Sequence, residues 1–367
     1  MRVLIAAGGT AGHVFPGLAL AARLRDRAGA EVRFIGRAGG TESRMVPPAG
    51  FPLVTVEARP FVRRATPAAL AAPFSALRAA HRCRPFVRGA DVVVSMGGYV
   101  GVPVSIAAWR EGRPLVVHEQ NAVPGAANRL AARWAKVVAL SFAEAADRLP
   151  RRTVTFVTGN PVRERVLRVP MSRETLRAEA HRRFGLEPDR RTIVVFGGSQ
   201  GALHLDRATL GAARRLAGRS DLQLLLITGA AHEEEVRLHM PRTGELIVRW
   251  LSFVEEMELV YAAADLVVSR AGATTIAELA VCGLPALLVP YPYATARHQE
   301  ANARALQRAG GASVLLDDQL TPVTLSERIE ELLGGPEQLR AMAERSEAFG
   351  RPAAADALAD VVVGVLP

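Results

Sequence analysis

The sequence contains few of the residues that mark several classes of protein. Only two cysteines occur among 367 residues, Cys83 and Cys282, and they stand alone, so neither a zinc motif nor a disulfide framework is expected. No apolar run approaches the roughly 18–20 residues of a membrane span, and the N-terminus runs straight into a strand pattern without a signal peptide. These absences predict a soluble, cytoplasmic chain.

Two common nucleotide-binding fingerprints are also missing. The dinucleotide loop Gly-x-Gly-x-x-Gly needs a glycine where this sequence has Thr10 and Ser199. The phosphate loop of nucleotide triphosphatases needs Gly-Lys-Ser/Thr, but the only lysine of the chain, Lys136, follows Ala135. The sequence therefore gives little support to two functional interpretations, a dinucleotide-dependent oxidoreductase and a P-loop nucleotide triphosphatase.

Charge is distributed unevenly along the chain. Residues 1–160 contain 22 Lys and Arg against 9 Asp and Glu, whereas the remainder contains 24 against 27. A basic half beside a nearly neutral half suggests that the first half meets an anionic surface, which nucleic acid or anionic lipid would provide. A general preference for arginine in the organism would give the same excess. The recognition motifs of nucleic-acid-binding proteins are missing, so we expect no nucleic-acid partner.

Strand and helix patterns alternate from the first residue, and the length favours two domains. The strands read as runs of aliphatic and β-branched residues without alternation, as expected of parallel strands covered on both faces. The predicted strands are 3–6, 32–35, 53–56, 91–94, 114–117, 137–140 and 154–157, then 192–196, 224–227, 246–248, 266–268, 286–289 and 312–315. A helix is predicted from Pro16 to Arg27 after the first strand. The rhythm breaks near residue 160, where a polar helix is predicted from Ser172 to Phe184. The sequence therefore predicts an α/β protein with two Rossmann-like domains, the first covering residues 1–160.

Each half begins with a buried strand followed by a Gly-Gly-x-x-Gly turn into a helix. We call residues 8–12 the first glycine-rich loop and residues 197–201 the second. In open α/β sheets ligands bind beyond the carboxyl ends of the strands, where both loops fall. The repeat predicts two similar sheets whose edges face each other across an interdomain cleft.

The stretch from Asp265 to Gln299 is typical of a nucleotide-binding βαβ unit. Small residues lie between a buried strand and a helix, where free N–H groups and the helix dipole favour a phosphate. Glu278 lies further along that helix, where a carboxylate can accept from both hydroxyls of a ribose. An ordinary βαβ crossover with a capped helix would give the same pattern, so the two readings are about equally balanced on this stretch alone.

Polar residues follow several strands of the first half. His13 lies just beyond the first glycine-rich loop, where it can act as a general base or simply cap a helix. The His-Glu-Gln-Asn cluster at 118–121 either lines a site or caps a helix. Tyr99 follows the glycines of Ser95 to Gly98, and Arg163 at the predicted boundary can reach a pyrophosphate or remain a solvated linker residue.

A different pattern extends from Arg59 to Arg88, where arginines alternate with aromatic and aliphatic residues. Between Pro67 and Arg84 the spacing fits an amphipathic helix with an apolar wedge ringed by cations, which is typical of a surface that docks on anionic membrane lipids. A helix that packs on the core with a basic outer face is the equal alternative. The candidate membrane residues are Leu70, Phe74, Leu77, Arg78 and Arg82.

Six motifs occur in one order: Gly-Gly-Thr-x-Gly-His at 8–13, Met-Gly-Gly-Tyr at 96–99, His-Glu-Gln-Asn at 118–121, Gly-Asn-Pro-Val-Arg at 159–163, Gly-Gly-Ser-Gln-Gly at 197–201, and the helix from Ala273 to Glu278. Over nearly its whole length the chain resembles the MurG family of bacterial glycosyltransferases. The resemblance implies the glycosyltransferase B fold, with a second domain over 161–345 and a last helix within 346–367 that crosses back to the first domain. It also implies a peripheral enzyme on the cytoplasmic face of the membrane.

The activity implied is peptidoglycan synthesis: transfer of N-acetylglucosamine from UDP-N-acetylglucosamine to the 4-hydroxyl of N-acetylmuramic acid in lipid I, with inversion, to give lipid II. The resemblance implies that Glu278 holds the ribose, the Val254 backbone the uracil, and Ser199 with the start of the 273–278 helix the pyrophosphate. The remaining donor contacts implied are Thr10, Ala11, Gly12, Asn121, Arg163, Ala273, Thr274, Thr275, Ile276, Ala277 and Gln299. His13 is the leading candidate for the base, with Glu119 and Tyr99 on the acceptor side.

Further expectations accompany this resemblance. Many relatives have glycine where this chain has Ala11, and a left-handed backbone there would be strained by the methyl group, so we expect a negative φ at Ala11. No Asp-x-Asp triplet is present, and we therefore expect no obligate metal or other cofactor. The alternative enzyme is a UDP-N-acetylglucosamine 2-epimerase of similar fold. A two-domain small-molecule binding protein is the alternative outside enzymes.

Overall fold

The computed structural model describes residues 1–56, 72–198, 201–240 and 244–366, with the side chains of residues 72–74 left out. Two compact units divide the chain. The first comprises Met1–Arg163 together with Pro352–Pro367, and the second comprises Glu164–Arg351. The sequence prediction set these divisions at residues 160 and 345.

The first unit is built on one parallel sheet. Its strands are β1 (Arg2–Ala6), β2 (Glu31–Gly36), β3 (Leu53–Thr55), β4 (Val92–Ser95), β5 (Leu115–Glu119), β6 (Val137–Leu140) and β7 (Thr155–Val157). Among the described residues its helices are α1 (Ala11–Ala28), α2 (Thr41–Met45), α3 (Ala72–Arg88), α4 (Gly98–Arg110), α5 (Ala126–Ala131) and, after the second unit, α15 (Ala354–Gly364). The strands lie in the order β3-β2-β1-β4-β5-β6-β7.

The second unit repeats this plan. Its strands are β8 (Arg191–Phe196), β9 (Leu222–Ile227), β10 (Ile247–Leu251), β11 (Leu266–Ser269), β12 (Ala286–Leu288) and β13 (Ala312–Val314). Its described helices are α6 (Glu164–Leu167), α7 (Val169–Phe184), α8 (Leu203–Arg215), α9 (Glu233–His239), α10 (Met257–Ala263), α11 (Ala273–Val281), α12 (His298–Arg308), α13 (Pro322–Gly334) and α14 (Pro336–Phe349). The strands lie in the order β10-β9-β8-β11-β12-β13.

Counted within each unit, both sheets therefore have the doubly wound order 3-2-1-4-5-6, to which the first sheet adds a seventh strand at its edge. All their strand pairs are parallel. Central strands are buried on both faces; every residue of β4 and of β11 is inaccessible to solvent. This explains their unbroken aliphatic sequences, because helices cover both sides of the sheet. The predicted class, two Rossmann-like α/β domains, is confirmed.

Some predicted helix boundaries were wrong. The first helix begins at Ala11, not at Pro16, because the fixed φ of proline suits a helix and only one backbone hydrogen bond is lost there. His13 consequently lies in the first turn. The polar helix predicted from Ser172 begins at Val169 and kinks at Ser172. The Arg-rich helix continues through Pro85 to Arg88, and the part of that prediction between 57 and 71 lies outside the described residues.

The final helix, α15, packs against α1 and completes the core of the first unit. Leu358 and Val362 are fully buried in a cluster that includes Leu20 and Leu24. Polar contacts fix its two ends. The guanidinium of Arg27 on α1 lies 3.0 Å from the Asp356 carboxylate, and Lys136 Nζ donates to the Val365 carbonyl at 2.9 Å. The first unit is thus built from two segments of chain separated by the whole second unit.

Candidate active site

The first glycine-rich loop brings the start of α1 close to the start of α4. A Cβ on Gly98 would lie 2.1 Å from the Gly8 carbonyl oxygen, so only glycine permits this approach. Gly98 also has a positive φ of 75°, which glycine adopts without strain. Ala11 is not among the described residues with positive φ, which confirms the expectation of a negative φ there.

His13 lies half-buried at this point. Its Nδ1 is 3.0 Å from the Thr10 hydroxyl, which belongs to the residue that precedes α1. Its Cδ2 lies 3.2 Å from where a Cβ on Gly97 would be, and Gly97 follows β4. The imidazole is therefore held between the ends of two adjacent strands, with one nitrogen engaged by a hydroxyl.

Glu119, the last residue of β5, is buried beneath the same edge and accepts four hydrogen bonds. Its Oε1 receives the Asn121 backbone N–H at 2.9 Å and the Asn121 side-chain amide at 3.3 Å. Its Oε2 receives Gly125 N–H at 3.0 Å and Asn128 Nδ2 at 2.9 Å. Burial raises the pKa of the Glu119 carboxyl, and these hydrogen bonds oppose the shift. The carboxylate thus holds Asn121 and Asn128 in place.

His118 is a neutral support for this arrangement. Burial lowers the pKa of its imidazole to about 4. Its Nε2 lies 3.0 Å from the Gly159 carbonyl and its Nδ1 lies 3.0 Å from the Gln120 side-chain nitrogen. These partners fit the tautomer that donates from Nε2 and accepts at Nδ1. The polar cluster after β5 therefore ties that strand to the segment that follows β7.

Tyr99 and Arg163 occupy the edges of this region. Tyr99 lies in the first turn of α4 and is 42% exposed, with its ring beside Gly9. The guanidinium carbon of Arg163 lies 4.6 Å from the centre of the Phe15 ring on α1, in cation–π contact. Both side chains flank the turn that carries His13.

Sequence reasoning missed Glu42, which lies fully buried on α2. Its Oε1 accepts the Arg37 N–H at 2.6 Å, and a Cβ on Gly8, Gly36 or Gly40 would lie within 2.7 Å of its side chain. The carboxylate fills the space beneath the first glycine-rich loop. Asn128 was missed in the same way, because nothing in a helical Ala-Ala-Asn-Arg stretch shows that the amide reaches back to a strand end.

In the second unit, α11 begins at the carboxyl end of β11 without a side-chain cap and without an acidic residue in its first turn. Ala273 and Ile276 are buried, whereas Thr274, Thr275 and Ala277 are partly exposed. A helix start of this kind favours an anion through its backbone N–H groups and its dipole.

Glu278, on the same helix, is only 3% exposed and accepts a hydrogen bond from Tyr261 Oη at 2.8 Å. Tyr261 lies fully buried on α10, and its ring meets the Phe196 ring edge-on with centres 6.2 Å apart. The buried Tyr261 hydroxyl therefore holds the Glu278 carboxylate in one orientation. Sequence reasoning missed Tyr261, because the apolar sequence of its helix indicates only a position in the hydrophobic core.

Gln299 reaches back from the first turn of α12 to the start of the α11 region. Its Oε1 accepts from the backbone N–H of Ala271 at 3.2 Å and of Tyr291 at 3.0 Å. The preceding turn contains Ala296 and Arg297, both with left-handed φ near 50°, which L-residues adopt at a cost of about 1–2 kcal/mol each. The amide oxygen is thus occupied by two backbone hydrogen bonds. The amide nitrogen is the group with which Gln299 can donate to a ligand.

The other predicted donor contacts are less defined. Val254 lies half-buried on the loop between β10 and α10. Ser199 lies outside the described residues. Arg270, which precedes the α11 start, is buried and paired with Asp317 at 2.5 Å.

The basic face predicted for membrane docking is partly described. On α3, Leu77, Arg78 and Arg82 are all exposed. Leu70 lies outside the described residues, as does the side chain of Phe74. Sequence reasoning missed Trp109 at the end of the adjacent helix α4, which is 56% exposed and stacks on Trp134 with ring centres 5.7 Å apart.

Within the described ranges, no helix has the length and apolar character needed to span a membrane. Those ranges also contain no group of three or more His, Cys, Asp or Glu side chains arranged to hold a metal ion.

Comparison with known families places this fold and site in one class. The chain matches the glycosyltransferase family 28 N-terminal domain over residues 3–140 and the glycosyltransferase family 28 C-terminal domain over residues 192–358. It therefore belongs to glycosyltransferase family 28.

Individual relatives narrow the assignment. The UDP-N-acetylglucosamine–N-acetylmuramyl-(pentapeptide) pyrophosphoryl-undecaprenol N-acetylglucosamine transferase of Moorella thermoacetica is 42% identical, with 99% of this chain and 98% of the relative covered. The crystal structure of MurG from Acinetobacter baumannii matches with a TM-score of 0.79 and 30% identity over 99% of both chains. Within family 28, the chain is thus a member of this family of N-acetylglucosamine transferases, as the six motifs predicted.

The alternative enzyme is represented among the structural matches as well. A UDP-GlcNAc 2-epimerase from Neisseria meningitidis matches with a TM-score of 0.69, covering 100% of this chain and 99% of that one. Its identity is only 13%, so the likeness concerns the fold alone.

Proposed function

We propose that this protein transfers N-acetylglucosamine from UDP-N-acetylglucosamine to the 4-hydroxyl of N-acetylmuramic acid in lipid I, forming lipid II with inversion at the anomeric carbon. The observation that carries the proposal is the full-length relationship to transferases named for this reaction. The two sheet edges contribute the side chains and helix start that the reaction needs.

In this proposal the second unit binds the donor, UDP-N-acetylglucosamine. The start of α11 supplies N–H groups to the pyrophosphate, and Glu278 accepts from the ribose hydroxyls while Tyr261 holds it. Gln299 donates from its amide nitrogen to the sugar, because its oxygen is already engaged. The Val254 backbone and Ser199 complete the donor contacts of this unit in the proposal.

The first unit is assigned the acceptor and the base. If Nδ1 of His13 carries the proton and donates to the Thr10 hydroxyl, then Nε2 is left with a lone pair to accept the proton of the acceptor hydroxyl. In this arrangement the Thr10 hydroxyl accepts from Nδ1 and so favours the tautomer that a base requires. Thr10, Ala11, Gly12, Asn121 and Arg163 are proposed as further donor contacts, and Tyr99 and Glu119 as groups on the acceptor side.

Charge stabilisation follows from this assignment. As the bond to UDP breaks, negative charge grows on the pyrophosphate and the sugar acquires oxocarbenium character. The N–H groups at a helix start can stabilise the leaving pyrophosphate without a metal ion. We accordingly propose a reaction without an obligate cofactor, in which activity survives exhaustive treatment with a chelator.

We further propose peripheral attachment to the cytoplasmic face of the membrane. The exposed Leu77, Arg78 and Arg82 of α3 support this, as does the exposed Trp109 of α4, which stacks on the partly buried Trp134. Exposed aromatic residues and cations suit an anionic membrane interface.

The test supplies the purified enzyme with radiolabelled UDP-N-acetylglucosamine and a soluble lipid I analogue. Label should enter the lipid product only when the acceptor is present. Turnover of the nucleotide sugar without acceptor, giving the 2-epimer, would replace the proposal with the epimerase. A control with weakened donor binding is Glu278→Ala, which should fail to saturate at donor concentrations that saturate the natural enzyme.

A further inference from the structure

Glu42 is a buried carboxylate that the proposed reaction does not use. It lies on α2 and is 0% exposed. Its Oε1 accepts the Arg37 N–H at 2.6 Å, whereas Oε2, although buried, has no hydrogen-bond partner among the described residues. An acceptor buried without a partner lowers the stability of the folded chain. Hydrogen bonding alone therefore does not explain why a carboxylate lies at this position.

Three glycines from separate segments surround the Glu42 side chain. Gly8 follows β1, Gly36 ends β2, and Gly40 immediately precedes α2. A Cβ on Gly8 would lie 2.7 Å from Glu42 Oε1, which is closer than two such atoms can approach. A Cβ on Gly36 or on Gly40 would likewise collide with this side chain. The three backbone segments therefore pack directly against Glu42.

Gly8 connects this support to the proposed acceptor side of the site. It begins the first glycine-rich loop, which leads into α1 and His13. Its carbonyl oxygen lies so near Gly98 that a Cβ there would be 2.1 Å away, so the loop also touches the start of α4. The Tyr99 ring lies 3.8 Å from where a Cβ on Gly9 would be. A shift of Gly8 would therefore disturb the turn that carries His13 and its contact with the helix start that carries Tyr99.

The size of the side chain, and not the backbone conformation, restricts the residue at position 8. Gly8 is not among the described glycines with a positive φ, so L-residues can adopt its backbone conformation. Its other near neighbour, Val100 Cγ2, would lie 3.4 Å from an added Cβ, which is ordinary van der Waals contact. The obstacle to an alanine is thus the Glu42 carboxylate.

We propose that Glu42 is a positioning residue that fixes the first glycine-rich loop, and with it His13 and Tyr99, in the place that transfer requires. It acts through the length of its side chain and its hydrogen bond to the Arg37 N–H, and not through its charge. The inference rests on the proposed function, which assigns the base to His13 and the acceptor side to Tyr99. Misplacement of reacting groups by about 1 Å can lower a rate by about 100-fold.

Two substitutions at position 42 separate side-chain length from charge. Glu42→Asp keeps the charge but removes one methylene, about 1.5 Å of length, so the carboxylate withdraws from Gly8. Glu42→Gln keeps the length and an oxygen for the Arg37 N–H but has no charge. At saturating concentrations of both substrates, kcat should fall by about 10- to 100-fold in Glu42→Asp and stay within about threefold of the natural value in Glu42→Gln.

A compensating pair of substitutions tests the contact with Gly8 itself. Gly8→Ala adds a Cβ against Glu42 Oε1 and should displace the loop, lowering kcat by about 10- to 100-fold. Glu42→Asp in the same chain leaves room for the new methyl group, so the double variant should recover about tenfold in kcat over Gly8→Ala alone. A general loss of stability would instead add the two defects together.

The matched control is Ser43→Ala, at the next residue of α2. The Ser43 hydroxyl donates to the Arg37 carbonyl at 3.2 Å, so it contacts the same turn as Glu42. This variant should keep the natural kcat. Melting temperatures are measured for all variants, and the kinetics are run well below the lowest of them, so that unfolding cannot account for a fall in kcat.

Four results would overturn the inference: natural kcat in Gly8→Ala, a larger loss in Glu42→Gln than in Glu42→Asp, a Glu42→Asp variant in which only the melting temperature falls, or no recovery in the double variant. If Glu42→Asp does not fold, Gly8→Ala and Glu42→Gln still decide the matter through the first result and through a tenfold or greater loss in the glutamine variant. Each of these results leaves the proposed function intact as long as the natural enzyme transfers the sugar to the acceptor. Absence of transfer by the natural enzyme would remove the proposed function itself.

Discussion

The first and second units have the same central strand order and place a glycine-rich loop after their first strand, yet the carboxyl edges of the two sheets hold different groups. The first edge gathers polar side chains around a histidine, with Glu119 and His118 beneath it. The second edge offers an uncapped helix start and a carboxylate held by Tyr261. The repeated fold gives both sheets the same kind of carboxyl edge, and the side chains added at each edge differ; in the proposed function this difference separates proton transfer at the first edge from anion binding at the second.

The largest effect is expected for His13→Ala, which tests whether the first unit supplies the general base. Loss of a general base should lower kcat by about 100- to 10,000-fold, whereas affinity for UDP, assigned to the other unit, should stay within about twofold. Steady-state kinetics and calorimetry with UDP measure the two quantities. A parallel loss of turnover and UDP binding would remove His13 from the role of base. Thr10→Ser, which keeps the hydroxyl beside Nδ1, serves as the mild control.

Glu278→Ala tests the corresponding assignment in the second unit, that this carboxylate binds the donor. Removal of a charged hydrogen-bond acceptor costs about 1.5–3 kcal/mol, so the KM for UDP-N-acetylglucosamine should rise roughly 10- to 100-fold while the KM for the acceptor changes little. Kinetics with each substrate varied in turn separate the two. An unchanged donor KM would contradict the ribose assignment.

Charge reversal tests whether the units also differ in membrane contact. Arg78→Glu with Arg82→Glu should weaken sedimentation with phosphatidylserine-containing vesicles by roughly tenfold or more, since each basic residue near such a surface contributes about 1 kcal/mol. The matched control reverses two exposed arginines of the second unit, Arg182 and Arg340, and should sediment like the natural chain. Equal behaviour of both variants would dismiss the α3 face as the docking surface.

The smallest expected effect is that of Tyr261→Phe, which removes only the hydroxyl that holds Glu278. A neutral donor to a carboxylate contributes about 0.5–1.5 kcal/mol, so the donor KM should rise roughly two- to tenfold with kcat retained. Combining this change with Glu278→Ala should add nothing to the KM of the single alanine variant, because the phenol acts through the carboxylate. A further increase in the double variant would show that Tyr261 acts independently of Glu278.

Much of the fold follows from local pattern. Aliphatic runs such as those of β4 and β11 identify buried parallel strands, and glycines after the first strand of each unit mark the ligand edges. The pattern predicts that the first helix begins at Pro16, whereas the helix begins at Ala11 and contains Pro16, since the φ of proline is compatible with a helix.

The residues of the candidate site likewise fall into two groups, those that local sequence indicates and those that only the packed structure reveals. His13, Glu119 and Glu278 stand beside recognisable loops, so the sequence indicates them. Glu42, Asn128 and Tyr261 act through contacts made only after distant segments pack together, such as the Tyr261 hydroxyl with Glu278. No local pattern distinguishes such residues from ordinary helix positions. Burial of a polar group with a specific partner is a property of the folded chain and is read only from the structure.

The return of α15 to α1 has a consequence for biosynthesis. The apolar faces of Leu20 and Leu24 stay uncovered on the ribosome until Leu358 and Val362 emerge, which happens only after the entire second unit has been translated. The nascent first unit must therefore wait with an incomplete core while its neighbour folds. The order of synthesis thus makes the second unit the first to be finished and the first unit the last.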